Sequence, residues 1–395
     1  MKQKTIVTAF GGASPEHEVS VITAHQAMAA LSDVPEYQVK PLYISKSGQW
    51  FTGDSLLDLK NFEDLNRLEE ICSPCHIAQN EFGLAVLREE KKGFFAKPAD
   101  TQIHTILPSF HGANGENGSF QGICEMYNLP YCGSRVTSSA IGMDKVIAKA
   151  LCRDAGIPVV EGIDFFETDW AADSALIFEK AEELEYPMIV KPVHLGSSIG
   201  VKVVTDRQEL EQAIEVAFRY DQHLLIEKVV TPLMEINCSV LGSGSSLDVS
   251  VCERPLGKEE MLSFQDKYLA DEATKGMASA DREIPANIAA ELTEAIQSMS
   301  KTIFRTLGCS GLARLDFLVD ANSQTFYFNE INTIPGSFSF YLWKESGISF
   351  TGLLKKLIEL AHEEYRLKNR QIQSYETNLL SKKAVTGIKG LKGIK

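Results

Sequence analysis

The chain has 395 residues, 44% of them hydrophobic and 23% charged, which calls for a soluble globular protein of two or three domains and excludes fibrous and disordered classes. Its net charge of −14 and isoelectric point near 5.2 argue against nucleic acid or an anionic membrane surface as the main partner, so any phosphate it handles must meet locally concentrated positive charge. No apolar run approaches the roughly 18 residues of a membrane span, and the eight scattered cysteines read as reduced thiols of a cytoplasmic protein.

Residues 5–10 alternate and end in Gly11-Gly12, a strand followed by a turn that stops too early for a signal-peptide core. Ser14 is placed to cap a helix beginning near Pro15, with Glu18 in its first turn and Val19, Ile22 and Met28 as an apolar stripe. This β–turn–α opening suits an open parallel sheet, where ligands gather beyond the strand ends. Glu16 stands at that edge with two roles open: complementing the helix dipole, which the local residues favour, or holding a ligand ammonium. Residues 39–45 and 103–110 supply further strands. The second runs into His111-Gly-Ala-Asn-Gly-Glu-Asn-Gly118, which is either a long turn or a loop that closes around a small polar substrate. Residues 46–100 read as insertions and surface helices. Within them Cys72-Ser-Pro-Cys75-His76 matches a haem-attachment spacing, but haem attachment needs an oxidising or exported context, and no second cysteine pair is spaced for zinc.

Met143-Asp-Lys145 opens a helical run closed by Gly156-Ile-Pro158, on which Lys145 reads locally as an ordinary exposed lysine. Residues 188–190 form a short buried strand that ends on Lys191 and faces a loop carrying Gly196, Ser197, Ser198 and Gly200. Such small residues let backbone N–H groups and hydroxyls wrap a phosphate while the lysine supplies a point charge; the alternative is a plain hairpin turn beside a solvated lysine. Residues 201–204 return as a strand, Asp206 caps a helix with Glu209 three residues on, and residues 224–230 make another strand.

Alternation over residues 312–319 puts Arg314 and Asp316 on one face and Ala313, Leu315, Phe317 and Val319 on the other. Over residues 325–332 the same rule groups Phe326, Phe328, Glu330 and Asn332, with Asn329 opposite. With the polar faces aligned, Asp316, Glu330 and Asn332 converge beside Arg314 as hard oxygen ligands. An Asp facing a Glu repels it unless a cation stands between them, so Mg²⁺ is expected there rather than water alone. Residues 254–282 hold few periodic apolar positions and include Phe264-Gln-Asp-Lys-Tyr268, the pattern of a lid or of a disordered stretch. Helices follow over 288–306 and 353–366, and the chain ends in a basic, repetitive tail.

Taken in order, these motifs resemble the D-alanine:D-alanine ligases of the ATP-grasp superfamily over roughly residues 4–365. The likeness is carried by Phe10-Gly-Gly-Ala-Ser-Pro-Glu-His-Glu-Val-Ser20, the loop 111–118, Gly142-Met-Asp-Lys145, residues 186–201, Ile226-Glu-Lys228, Asp266-Lys-Tyr-Leu-Ala-Asp-Glu272 and Asn329-Glu-Ile-Asn332. It implies an α/β (α+β) fold of ATP-grasp architecture. A Rossmann-like parallel-sheet domain would span 1–135, a small central subdomain 136–230, and a C-terminal catalytic subdomain 231–370 with its lid over 254–282, before a flexible basic tail over 371–395. It also implies cytoplasmic, ATP-dependent formation of D-alanyl-D-alanine through an acyl phosphate for peptidoglycan synthesis, with two Mg²⁺ ions (Mn²⁺ as a substitute), small D-amino acids as partners and assembly as a homodimer.

The same resemblance assigns residues. Lys145, Lys191 and Ser198 would contact the ATP phosphates, Glu227 and Lys228 the adenine, and Glu235 the ribose. Glu16 would hold the first substrate's ammonium, against its local reading, and form a clasp with Ser197 and Tyr268. Arg314 and the Gly336 backbone would stabilise the oxyanion; Asp316, Glu330 and Asn332 would hold the metal; His111 would lie near the substrates, and Lys267 near the γ-phosphate or the acceptor carboxylate. The resemblance departs after Gly336, where Ser-Phe-Ser-Phe-Tyr-Leu-Trp343 reads as shorter and more aromatic than the family's segment with its carboxylate-binding serine. Ser337, Ser339 or Tyr341 would replace that hydroxyl, or Phe338, Phe340 and Trp343 would reshape the pocket for another acceptor. Asn117 also stands where the family often has Asp. The rival readings are a sister ligase using D-serine, D-lactate or another acceptor, and a catalytically idle nucleotide-binding regulator.

Overall fold

A computed structural model describes residues 3–90, 98–256 and 282–372. Lys267, Tyr268, nearly all of the expected lid and the tail beyond Ile372 lie outside the described residues. Three sheets organise the rest into a mixed α/β structure. Among the described residues, no helix is long and apolar enough to cross a membrane.

The N-terminal sheet is centred on strand Lys4–Gly11, which pairs in parallel with Tyr37–Ile44 on one side and Thr105–Pro108 on the other. Seven of the eight residues of this first strand are buried, as expected for a strand covered on both faces. The region 46–100, expected to be insertions and surface helices, holds the helix Leu65–Ile71 and also extends this sheet through antiparallel strands Trp50–Thr52, Ser73–Gln79, Ala85–Glu89 and Ala99–Gln102. Those strands are short and carry Pro74, His76 and Asp100 among few apolar residues, so periodicity could not flag them. Cys72 and Cys75 are buried free thiols there, and burial pushes them up to about 11 and about 12.

The helix after the first strand runs over His17–Ser32, two residues later than expected. Ser14 caps the turn before it, accepting the Glu16 N–H at 3.1 Å. Ser20 ties helix to sheet, accepting the Gly11 N–H at 2.8 Å and donating to the Ser109 carbonyl at 2.7 Å. The loops that follow strands Lys4–Gly11 and Thr105–Pro108 therefore open on the same edge.

The central sheet is antiparallel, ordered Lys202–Val204, Met188–Pro192, His223–Lys228, Gly162–Phe166. Its core combines Met188, Val190, Leu224 and Ile226 with helices Ser174–Glu182 and Arg207–Ala217; Asp206 caps the second by accepting the Glu209 N–H at 2.8 Å. The C-terminal sheet, also antiparallel, runs Arg282–Glu283, Ser246–Pro255, Leu233–Ser243, Gly311–Asp320, Phe326–Asn332. Its apolar face packs on helix Ala290–Thr306 and on helix Lys145–Asp154, which sends Ala148 and Cys152 into that core. Helix Phe350–Asn369 closes the circuit, packing Leu353, Leu357 and Ile358 with Ile6 and Leu107 of the first sheet and Leu312 of the third.

The joint between the first and third sheets is a backbone contact. Gly311 has φ of +74°, and a Cβ on it would lie 2.7 Å from Gly133 Cα. Ser134 and Ser310 lock the seam by hydrogen bonds of 3.2 and 3.1 Å to the carbonyls of Ser310 and Gly133. Substitution Gly311→Ala combines a left-handed strain with a clash that no side-chain rotation relieves, so it should cost about 2–4 kcal/mol. Urea denaturation of the two proteins checks this; an unchanged midpoint would show that the seam yields.

Candidate active site

A cavity of about 260 Å³ lies between the central and C-terminal sheets. One wall is Ile189, Lys191 and Val203 of the central sheet, the other Glu235, Asp316 and Glu330 of the third, with Lys145, Ser198 and Lys228 at its edges. Lys145 is buried rather than exposed, because Asp144 caps its helix, accepting the Ile147 N–H at 2.9 Å, and so aims the first-turn lysine inward. Its ammonium donates to the Leu195 carbonyl at 2.5 Å and stands 3.4 Å from Glu330. Lys191 donates to Glu227 at 2.7 Å and to Asn329 Oδ1 at 3.1 Å. Glu227 is 1% exposed and ion-paired with Lys149 as well as Lys191. Burial opposes its charge, yet the two lysines outweigh burial and hold its carboxyl down at about 2. The Glu227 side chain thus braces lysines rather than facing the cavity, whereas Lys228 lines it.

The small-residue loop bends back from this cavity to the N-terminal sheet. Ser197 and Ser198 have φ of +53° and +57°, a strained conformation that non-glycine residues rarely adopt. Ser197 donates a short hydrogen bond to Glu16, joining the phosphate-type loop to the first strand's turn. Gly112 belongs to the same junction, since with φ of +77° a Cβ on it would come within 3.0 Å of the Glu16 carboxylate. His194, at the head of the loop, makes contacts of 2.9 Å with Asp221 and 3.3 Å with Asp144, and these carboxylates lift it to about 9, so it is a cation at neutral pH.

The metal-type residues meet on the third sheet by a route that simple alternation misses. Asp316 pairs across strands with Glu330, but Phe317 pairs with Phe328, leaving Asn329 as an extra bulged residue. The bulge reverses the alternation, so Phe328 and Ile331 both enter the core while Asn329 and Glu330 both line the cavity. The expected grouping of Phe326 and Phe328 with Glu330 and Asn332, and of Asn329 opposite, is therefore corrected. Arg314 donates to both Asp316 oxygens at 2.6 Å, and Asn332 Nδ2 donates to Asp316 Oδ2 at 3.1 Å. Asp316 and Glu330 on one wall of a lysine-rimmed cavity, with the Asn332 carboxamide held against Asp316, fit Mg²⁺. Among the described residues no group of three carboxylate, imidazole or thiol ligands forms.

The aromatic side chains after Gly336 pack into the interior among the described residues. Phe338 and Trp343 are 4% and 1% exposed within the core shared by the first and third sheets, and Phe340 packs on Phe350 at 4.7 Å between ring centroids. The three candidate hydroxyls are also sequestered. Ser337 and Ser339 are buried, and Tyr341 donates to Glu253 at 3.1 Å beneath the Arg282 guanidinium, which sits 4.1 Å over its ring.

Sequence reasoning passed over four residues here. Lys149 looked like any helix lysine, and Asn237 and Glu253 fall on strands without a motif. Glu116 was only one of several polar residues in its loop, yet it is buried, with its oxygens accepting the Gly112 and Ile334 N–H groups at 3.2 Å each. Burial, then the nearby Glu16 charge, push it up to about 8 against those two amides, so at pH 7 it holds a proton that the unfolded chain has lost. Because the folded value is the raised one, stability is complete below the ordinary carboxyl value of 4.5 and declines as pH climbs to about 8. Glu116→Gln should remove this component, flattening the pH dependence by up to about 1.4 kcal/mol per pH unit in that window. Urea titrations at several pH values provide the check, and parallel curves for the two proteins would refute the assignment.

Residues 5–134 match the family described as D-ala D-ala ligase N-terminus and residues 151–359 the D-ala D-ala ligase C-terminus. The chain is 39% identical over 371 residues to a D-alanine–D-alanine ligase of Thermosipho melanesiensis, covering 94% of this chain and 96% of that one. Among solved structures it is similar to the D-alanine-D-alanine ligase from Coxiella burnetii, with a TM-score of 0.79 and 28% identity over 96% of this chain and 100% of that one. It is similar also to the VanG D-Ala:D-Ser ligase from Enterococcus faecalis, with a TM-score of 0.75 and 32% identity over 91% of this chain and 100% of that one. With both halves matched, and with the cavity, the Glu16–Ser197 junction and the Asp316–Glu330 pair in place, this chain belongs to the D-alanine–D-alanine ligase family.

Proposed function

We propose that the protein uses ATP to activate the carboxylate of one D-alanine and joins it to the amine of a second, releasing ADP, phosphate and D-alanyl-D-alanine for peptidoglycan synthesis. It would do so in the cytoplasm and as a homodimer. The observation that carries this reading is the contact between Ser197 and Glu16, which brings a lysine-lined nucleotide cavity and an ammonium-type carboxylate to one junction. A carboxylate is a poor acyl donor until phosphorylated, and the acyl phosphate so formed has phosphate as its leaving group.

The residues divide the work by charge. Lys145 and Lys191 meet the phosphates, Ser198 and the loop backbone cradle them, Lys228 faces the base and Glu235 the ribose. Glu16 holds the donor's ammonium. Arg314, kept charged because Asp316 outweighs the penalty of its burial, faces the charge that develops when the acceptor amine attacks, with the Gly336 backbone opposite. Asp316, Glu330 and Asn332 would hold Mg²⁺, which supplies neutralisation of phosphate charge. Lys267 and Tyr268 retain their family-implied roles at the γ-phosphate or acceptor carboxylate and in the clasp. Closure around the site excludes water that would hydrolyse the acyl phosphate.

A second reading has one observation behind it. Ser337 and Ser339 are buried and Tyr341 is engaged with Glu253, which supports a reading in which other groups hold the acceptor's carboxylate and D-serine or another acceptor uses the same nucleotide machinery. Mass spectrometry of products from a panel of D-amino and D-hydroxy acids separates the two. D-alanyl-D-alanine should dominate, and ADP release should require both a divalent cation and a D-amino acid. Release that persists in EDTA, or that no amino acid stimulates, would remove the ligase assignment.

Substitution Arg314→Ala should lower kcat by about 10²–10³ with little change in ATP affinity, since the guanidinium acts on charge present only in the transition state. Lost nucleotide binding with turnover preserved at saturation would show that Arg314 belongs to the nucleotide site instead.

A further inference from the structure

Along helix His17–Ser32, Glu16, Ser20 and Thr23 fall at i, i+4 and i+7, a single line on the face turned toward the site. Glu16 takes the Ser197 hydroxyl and Ser20 ties the strand ends; Thr23 has no part in the machinery described so far. Its Oγ1 lies 2.9 Å from His111 Nε2 and 3.1 Å from the Ser337 amide nitrogen, and all three residues are buried. Resting on the ligase reading above, we propose that Thr23 is a positioning residue. Its hydroxyl fixes His111 in the Nδ1–H tautomer while anchoring the amide of the turn that follows Gly336.

The argument is a count of protons. The Ser337 N–H can only donate, so it takes one lone pair of Thr23 Oγ1. The hydroxyl's single hydrogen then needs an acceptor, and among the described residues His111 Nε2 is the one within hydrogen-bond distance. If Nε2 carried the ring proton, it would take the second lone pair of Thr23 Oγ1 and the buried hydroxyl hydrogen would be left without an acceptor, which native structures avoid. The ring proton therefore sits on Nδ1, which makes no hydrogen bond to any described residue. Burial, with Arg314 next in effect, pushes the imidazole down to about 3, so it stays a neutral donor throughout the working pH range. A neutral N–H within the influence of the Arg314 guanidinium is suited to an oxygen of the donor's reacting carboxyl group. Through one hydroxyl, the first helix sets both the direction of that donor and the position of the Ser337 amide.

¹⁵N-histidine NMR of the full chain, with the His111 signal assigned by its loss in His111→Gln, tests the tautomer directly. The wild-type protein should show a protonated Nδ1 and a bare Nε2. Thr23→Val, isosteric but without the hydroxyl, should shift the tautomer toward Nε2–H and lower kcat roughly 10–100-fold with the KM for ATP nearly unchanged, the usual scale for losing an orienting partner. Thr23→Ser should restore both tautomer and rate to within a few-fold. A protonated Nε2 in the wild-type protein overturns the proposal outright, as does a Thr23→Val protein with the wild-type tautomer and rate. Should Thr23→Val fail to fold, the wild-type tautomer and Thr23→Ser still decide. Failure of the ligase reading is told apart because the tautomer is read without turnover: no D-amino-acid-dependent ADP release from the wild-type protein would sink that reading alone.

Discussion

The site depends on charge balance across one row of the third sheet. Strand register places Glu253, Asn237, Asp316 and Glu330 side by side across four strands, so three carboxylates share one wall in a chain whose net charge is already −14. Each is met by a cation delivered from elsewhere: Arg282 at 2.8 Å from Glu253, Arg314 at 2.6 Å from Asp316, and Lys145 at 3.4 Å from Glu330. Glu227 on the central sheet repeats the pattern with Lys149 and Lys191. Pairs of this kind add little net stability, but removing one partner strands a buried charge, so the cluster is maintained as a unit. Its value to the site is preorganisation. The lysines that must meet a triphosphate are held in position by carboxylates before any phosphate arrives, which reduces the ordering cost of binding. An acidic protein can handle ATP because its positive charge is placed here by specific partners rather than spread over its surface.

Much of this was legible from residue types, and the gaps have identifiable causes. The Asp206 cap, the strand that carries Lys191, which runs one residue further to Pro192, and the pairing of Asp316 with Glu330 rest on local chemistry. Lys145 misled because its burial is decided by the Asp144 cap and by the packing of its helix on the third sheet, neither of which shows in its own neighbourhood. The strands between residues 46 and 100 pair edge-on with a sheet that already exists, so each needs only a few apolar contacts and shows little alternation. The bulge at Asn329 has no glycine or proline to announce it, and period-two reasoning across it necessarily assigned half of that strand to the wrong face. Glu116 and Glu253 acquire their meaning only from burial and from partners far along the chain. The family resemblance reached further than local pattern because it concerned the spacing of separated motifs, and spacing survives where periodicity fails.

The aromatic segment after Gly336 follows from backbone strain rather than from ligand shape. Ser337, Phe338 and Ser339 have φ of +51°, +53° and +47°, three consecutive left-handed residues without a glycine among them. At roughly 1–2 kcal/mol each, such a turn costs several kcal/mol and persists only where its surroundings over-determine it. Burying a large apolar side chain contributes about 1.5–3 kcal/mol, and the segment buries Phe338, Tyr341, Leu342 and Trp343. Trp343 is further held by donating from its indole to Ser239 at 3.1 Å, and Phe338 and Phe340 both pack on Phe350 at the start of the C-terminal helix. These contacts are of the size needed to offset the strain, and they are made to two different sheets and a helix, which the turn thereby couples. A segment rich in buried aromatic residues supplies what such a tightly wound turn requires.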